Sequence, residues 1–395
     1  MIRSMSRART ASLSFVLLAG CHAGAPIGAL DASAAPGPGV PDLAVGPAVD
    51  LASPRDETPL EVRFLGVGGF LMRRGADAVM TAPLYSNPAL LELPAIASRP
   101  DRVAQFTTGL PLADVRAVLV GHAHYDHLLD VPTVLPLLQP GAVIYGNRTM
   151  KHLLAAFFPD RSARCASAAP AYAIPRERVF AFDDLDHDRV DRRVCAGGGS
   201  SAGEWVAVPG ANVRIRALCS QHPPQLAFYH FGEGSIDADL CDPPADAQDW
   251  REGQTLAYLI DFLDGGAPAY RLYYQDAPTP APIGHVPADV LAEKRVDAAL
   301  LCVGNYDQVP DQPGAILAAL APRYTIGGHW EGFFQPQDAP LQPLPFHDIA
   351  EYARRGDAAL GAGGEAPIAV NGQPTAKRSF VPDPGTTFVI ARTAP

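Results

Sequence analysis

The sequence predicts an α/β (α+β) fold from three observations. Short apolar runs of strand length, bounded by Gly, Pro, Asn and Asp, recur from Glu61 to Ile390. Between them lies helical spacing, clearest at Met150, Leu153, Leu154, Phe157 and Phe158. One run, Val118-Leu119-Val120, ends abruptly at Gly121 and is followed by His122, His124, Asp126 and His127, side chains of the types that zinc accepts as ligands. In extended backbone, residues two apart share a side, so His122 and His124 are expected to bind one metal and Asp126 and His127 to face a second.

The first twenty of the 395 residues are set apart from the fold. Arg3, Arg7 and Arg9 form a basic segment and Ala11 to Ala19 a short apolar one, the pattern of a secretory signal too short to span a membrane permanently. Leu18-Ala19-Gly20-Cys21 resembles the lipobox of bacterial lipoproteins, which implies a lipid anchor at Cys21 and a place in the bacterial cell envelope, periplasm-facing or on the outer membrane. Plain secretion is the alternative. Residues 21–59, rich in Ala, Pro and Gly, read as a disordered tether. Residues 60–395 show neither a repeat nor a linker-like break and read as one domain with insertions.

Removing three arginines with the signal moves the formal charge from −11 to −14, which repels nucleic acid, and no basic stripe compensates. Beyond Cys21 there are five cysteines; sequence order suggests Cys165–Cys195 and Cys219–Cys241 as disulfides, with Cys302 packed as a small buried hydrophobe. None has the spacing of a thiolate zinc or redox site.

In chain order, Glu61 to Thr81 alternates as strands around a Gly66-Val67-Gly68-Gly69 bend and a turn at Arg73 to Ala76. Asp101 to Gly109 reads as a loop over the site, Leu112 to Ala117 leads into the ligand-bearing strand, and Pro132 opens a short helix. Ala142 to Tyr145 is a strand, Asn147 caps a helix over Arg148 to Phe158, and Val179 to Phe182 returns as a strand. The acidic run Asp183, Asp184, Asp186, Asp188 lacks the pattern of a calcium loop and reads as a solvated turn. Trp205 to Val208 and Val213 to Cys219 form a hairpin leading to His222, and Phe228 to Trp250 is an inserted loop. Thr255 to Phe262 and Tyr270 to Tyr274 form a hairpin ending at Asp276; Val296 to Val303 is a strand and Ala315 to Leu320 a helix. Tyr324 to Ile326 leads to His329, Phe346 to Arg355 is a helix closed by Gly356, and Thr386 to Ile390 is a last strand.

Three further strand ends therefore carry His222, Asp276 and His329. With His122-Ala123-His124-Tyr125-Asp126-His127, Ser220-Gln221-His222, Tyr274-Gln275-Asp276 and Gly328-His329-Trp330, the chain from about residue 60 to 392 resembles the metallo-β-lactamase-fold metallohydrolases. The resemblance implies a four-layer αββα sandwich with a dinuclear centre at one edge. His122, His124 and His222 would hold one metal, Asp126, His127 and His329 the other, and Asp276 would bridge them. It implies two Zn2+, with Mn2+ or Fe2+ as alternatives. Asp126 would be the catalytic residue, orienting a hydroxide and accepting its proton.

The bridging acid argues against a true β-lactamase. One departure is Thr81-Ala82-Pro83, where many relatives carry a Thr-Asp-Pro-like run, so support for the ligands is expected from Thr81, Ser86, Asn87 or water. No leaving-group acid stands out among Tyr229, His230 and Glu331. Tyr125 and Asp130 look like the branch of N-acylphosphatidylethanolamine phospholipase D and L-ascorbate-6-phosphate lactonase. The expected activity is thus hydrolysis of an ester-type bond in a small-molecule or lipid substrate, phosphodiester favoured. Lactone or carboxylic-ester hydrolysis is the first alternative, and a non-catalytic metal-binding surface lipoprotein the second.

Overall fold

The computed structural model describes residues 58–163, 165, 172–183, 195, 202–225, 229–361, 365 and 367–392. The first apolar runs fold as β1 (Leu60–Gly66), β2 (Gly69–Arg74) and β3 (Asp77–Thr81), antiparallel neighbours joined at the two glycine-bearing turns that the sequence predicts. From there the chain changes to parallel pairing, which requires crossovers. Helix α1 (Pro100–Thr107) precedes β4 (Val115–Leu119), the single turns α2 (Tyr125–Leu128) and α3 (Val131–Val134) precede β5 (Val143–Gly146), and α4 (Arg148–Leu154) precedes β6 (Val179–Ala181).

A second sheet begins with β7 (Val206–Ala207), β8 (Val213–Cys219), β9 (Leu256–Asp264) and β10 (Ala267–Gln275), all antiparallel. Helix α5 (Ala288–Glu293), β11 (Ala298–Cys302), α6 (Gly314–Leu320) and β12 (Tyr324–Gly328) extend it in parallel. After α7 (Ile349–Leu360), the hairpin β13 (Ile368–Val370) and β14 (Gln373–Thr375) joins the first sheet, β15 (Ser379–Phe380) the second, and β16 (Thr387–Ile390) returns beside β1. Among the described residues the first sheet runs β14-β13-β16-β1-β2-β3-β4-β5-β6 and the second β15-β12-β11-β10-β9-β8-β7.

Alternation along each strand sorts side chains between layers. Ala117 and Leu119 of β4 join Phe64, Met72, Tyr258, Ile260, Leu272 and Leu300 in the core between the sheets. Val118, between them, faces the other way and packs with Leu128, Val134, Met150 and Leu153 under the helices. On the far side Leu259, Tyr273 and Leu301 meet Val290, Ile316 and Leu317 of α5 and α6. The result is the expected αββα sandwich. Its layout matters for the site because β4, β10 and β12 deliver their C-terminal ends to the loops where functional groups gather.

Several expectations need correcting. Asp101 to Gly109 is not a loop over the site but lies largely in α1, where Pro100 supplies a preset first turn and Val103 and Thr107 bury one face. Helix α7 does not close at Gly356; Asp348 caps its start by accepting from Glu351 N at 2.9 Å, and it ends before Gly361. The disulfides are Cys165–Cys241 and Cys195–Cys219 rather than the sequential pairs. Arg161 lies beside the first: its Nε donates to the Cys241 carbonyl at 2.8 Å, joining the inserted loop to the segment that leads into Cys165. Cys302 is free and buried, as expected. The signal segment, Cys21, the tether through residue 57, Asp184, Asp186, Asp188 and Phe228 lie outside the described residues.

Candidate metal centre

After Leu119 the chain leaves its sheet. Val120 still donates to the Tyr145 carbonyl at 2.9 Å, and Ala123 donates to the Glu252 carbonyl at 2.9 Å, so the loop carrying His122 and His124 is held from both sides by main chain. Extended backbone does not persist through His127 as expected. His127 N donates to the His124 carbonyl at 3.0 Å, opening α2, and this helical turn is what places Asp126 and His127. His222 stands three residues beyond β8, Asp276 directly after β10, and His329 directly after β12 with a left-handed φ of 59°. A non-glycine residue held there is strained, a cost that the surrounding packing must sustain.

These seven side chains come together, six of them buried and His222 partly exposed. Their potential ligand atoms form three groups, each within 4.8 Å: His122, His124 and His222; Asp126, His127 and His329; and His122, His127 and Asp276. The rings of His122 and His127, one from each of the first two groups, lie 4.2 Å apart. The clusters are therefore adjacent.

Hydrogen bonds assign ring nitrogens. His222 Nδ1 donates to the Pro223 carbonyl at 2.6 Å, His124 Nε2 to the Gly232 carbonyl at 3.4 Å, and His122 Nδ1 to Asp276 Oδ1 at 3.0 Å. The opposite nitrogen of each keeps its lone pair. On the other cluster, Asp126 Oδ2 lies 3.1 Å from His329 Nε2 and 3.3 Å from His127 Nε2.

Electrostatics set the charge states. Burial, then His127 and His222, holds His122 well below the usual imidazole range. Burial first, and then the neighbouring ring, pulls His124 and His222 down to about 3. All three are thus neutral at pH 7, as metal ligation requires. Burial would raise Asp126, but His127 and His329 outweigh it and keep the carboxylate well below its ordinary value. Burial would likewise lower His127, yet Asp126 and Asp276 leave it raised. Burial raises Asp276. The donor set fits a divalent cation on one further count: His122 Nε2 is buried with no hydrogen-bond partner among the described residues, a costly state unless an ion takes its lone pair.

The surrounding contacts are ones that sequence reasoning largely missed. A Cβ on Gly68 would lie 2.7 Å from His127 Nδ1, and one on Gly232, with φ +63°, 2.9 Å from His124 Nε2. Both glycines let main chain close onto ligand rings; Gly68, in a glycine-rich bend, was the more findable. Thr81 acts at one remove, its hydroxyl donating to the Gly68 carbonyl at 2.7 Å, to which Tyr274 OH also donates at 3.0 Å. Ser86 does not reach a ligand: its hydroxyl donates to Asp130 Oδ1 at 2.6 Å, while Asp130 Oδ2 accepts from the amides of Tyr85 and Ser86 at 2.7 and 2.8 Å. Asp130 thus clamps the segment after β3 to the turn after α2. Glu331 accepts from Val67 N at 2.5 Å and Trp330 N at 3.2 Å, so it is a loop clamp rather than a free acid. Tyr229 is about half exposed.

No protein-family model and no curated protein matches the chain. Among solved structures it is similar to Igni18, a novel metallo hydrolase from the hyperthermophilic archaeon Ignicoccus hospitalis KIN4/I, at 14% identity over 84% of this chain and 99% of that chain, with a TM-score of 0.41. It is similar to the metallo-beta-lactamase fold protein YhfI from Bacillus subtilis at 11% identity over 84% and 99% of the two chains, TM-score 0.41. A third is the isothiocyanate hydrolase from Delia radicum gut bacteria, 12% identical over 84% and 99%, TM-score 0.41. Likenesses this distant carry no activity to the chain, whose chemistry is read from its own residues.

Proposed function

We propose that the protein is a metal-dependent hydrolase with a dinuclear centre, zinc favoured over manganese or iron, that cleaves an ester-type bond, a phosphodiester before a lactone or carboxylic ester. The observation that carries this is the adjacency of two complete ligand clusters, His122/His124/His222 and Asp126/His127/His329, each within 4.8 Å. Divalent cations held there supply Lewis acidity toward a carbonyl or phosphoryl oxygen and a nucleophile from water at neutral pH.

The chain's own residues supply the rest. Asp126, kept ionised by His127 and His329, orients the attacking water and accepts its proton. Phe333 stands edge-on to His329 at 5.1 Å and 6.4 Å from Tyr125, and with Phe334 at 4.5 Å it makes an apolar wall that limits water. Beside the ligands stand the Phe333 ring and the main chain of Gly68 and Gly232, which favours an apolar or lipid ester over a sugar phosphate. The anchor expected at Cys21 would hold such an enzyme at the envelope membrane.

The test combines metal analysis with a panel of bis-aryl phosphates and lactones. Two ions per chain and phosphodiester turnover are expected, and Asp126→Ala should lose activity by about 10²–10⁴-fold while its circular dichroism is unchanged. Turnover of lactones alone overturns the phosphodiester reading. Fewer than one ion per chain after zinc addition favours a non-catalytic binding protein.

A further inference from the structure

His222 stands further past its strand than Asp276 or His329 do past theirs, since β8 ends at Cys219 and two residues intervene. Ser220, the first of them, is tied back to the main chain before β9, its N donating to the Thr255 carbonyl at 3.0 Å. Gln221, directly before the ligand, has no such tie. Its N donates to Thr279 Oγ1 at 3.3 Å, its carbonyl accepts from the same hydroxyl at 2.9 Å, and neither group has another partner among the described residues. A threonine hydroxyl has one proton and two lone pairs. Here the proton goes to the Gln221 carbonyl, with the Ala277 carbonyl a more distant acceptor at 3.2 Å, and the lone pairs meet Gln221 N and the Ser220 hydroxyl, which donates at 2.6 Å.

Thr279 is itself held. Pro278 and Pro280 flank it, and a residue that precedes proline is biased to extended backbone. Gln312 Nε2 donates to its carbonyl at 2.7 Å. Thr279, Ser220 and Gln312 are all buried, where hydrogen bonds are strengthened by the low local dielectric.

We propose that Thr279 is a positioning residue: its hydroxyl fixes the main chain of Gln221 and so sets where His222 stands against His122 and His124, whose rings lie 4.7 and 5.0 Å from its own. The ring bond of His222, Nδ1 to the Pro223 carbonyl at 2.6 Å, runs to the very next residue, so it orients the imidazole without anchoring the chain. Thr279 supplies the anchor. Residues that orient metal ligands typically contribute about 10–100-fold to affinity. Every hydrogen bond of this hydroxyl goes to Ser220, Gln221 or Ala277, so the effect falls on the ion of the His222 cluster alone. That consequence rests on the dinuclear reading, whereas the geometry does not.

The experiment is zinc titration of the metal-free full chain against a competing chelator. It compares the wild type with Thr279→Val, which keeps the shape and removes the hydroxyl, and Thr279→Ser, which keeps the hydroxyl. Thr279→Val is expected to bind one of two Zn2+ about 10–100-fold more weakly and the other unchanged, and Thr279→Ser to match the wild type. In a His222→Ala background Thr279→Val should add no further loss, because its route to the metal is gone. Equal weakening of both ions, or a further loss in that background, overturns the proposal. So does a Thr279→Val chain with wild-type zinc affinities and only a lower urea midpoint. If Thr279→Val does not fold, Gln312→Met, which releases the Thr279 carbonyl, takes its place in the same measurements. A wild type that takes up no zinc overturns the hydrolase reading instead. NMR of the metal-free chain then decides this proposal: the His222 ring signals, assigned with His222→Gln, should move in Thr279→Val and hold in Thr279→Ser, and signals that stay in place in Thr279→Val overturn it.

Discussion

A hydrogen atom is all that position 121 accommodates. In Gly121→Ala the new methyl would lie 2.2 Å from Asp276 Oδ1 and 2.4 Å from its Cγ, and both groups are held by main chain or by buried histidines, so neither can retreat cheaply. Overpacking of this kind costs about 1–3 kcal/mol. We expect a lower urea midpoint and weaker zinc uptake in the same variant, measured by denaturation and by metal titration. Gly314→Ala is the control: nothing lies within 4 Å of its Cβ, so its stability should be unchanged or slightly higher. Loss of zinc uptake in both variants, or in neither, would break the link drawn between Gly121 and the site. At this scale most of the site was legible in the sequence. His122, His124, Asp126, His127, His222, Asp276 and His329 could each be read as a ligand-type side chain near a strand end, and the fold gathers all seven. The atoms that aim them were not legible: the carbonyls of Pro223 and Gly232 carry no residue-type signal, because any residue has a carbonyl.

Between elements, the sequence was most informative where one principle dominated, and misleading where packing overrode a local signal. Asn147 was readable as a helix cap, and its Oδ1 does accept from Met150 N at 2.7 Å; its Nδ2, however, also donates to the Glu252 and Gln254 carbonyls at 2.8 and 2.9 Å, a long-range tie that no local pattern encodes. Gly356 reads as a helix stop, yet it lies inside α7 because the helix crosses β15 there: a Cβ would stand 2.4 Å from Ser379 Oγ and 3.4 Å from Ser379 Cβ. Helix propensity alone favours Gly356→Ala by about 1 kcal/mol, and overpacking opposes it by about 1–3 kcal/mol. The contact should win, so the variant is expected to unfold at lower urea. Adding Ser379→Ala removes the nearer atom and should recover the loss; a destabilisation that persists in the double variant would place its cause elsewhere. The disulfides follow the same logic, since their pairing depends on where the fold brings Cys241 and Cys219, not on their order along the chain.

For the molecule as a whole, two opposed effects govern acid stability. The sequence carries 42 acidic and 31 basic residues besides histidine, so lowering the pH from neutrality first reduces net charge, and mutual repulsion alone would make the fold more stable. Two histidines of the site act in the other direction. His124 and His222 sit at about 3 in the folded protein against an ordinary 6.5. Between those values the unfolded chain binds protons that the folded one refuses, so stability is lost as pH falls, each group contributing up to about 1.4 kcal/mol per pH unit. Asp126, depressed by His127 and His329, adds to the loss below the ordinary carboxylate range, because its stabilisation fades as it is protonated. His127 has a raised pKa, so its contribution is fully present below about pH 6.5 and fades as pH rises through its folded value; it acts above the window in which His124 and His222 lose stability and leaves that slope unchanged. Distributed surface charge is screened by salt, whereas these four side chains are largely shielded from it. The local term therefore wins. The metal-free protein should show a denaturation midpoint that is highest near about pH 6.5, eases downward above it as His127 loses its proton, and falls steadily toward about pH 4, with little change on adding salt. Zinc should raise the maximum and steepen the acid-side fall, since protons then compete with the ion for the same nitrogens. A metal-free midpoint that rises on acidification would mean that repulsion dominates and that these imidazoles are not held neutral in the fold.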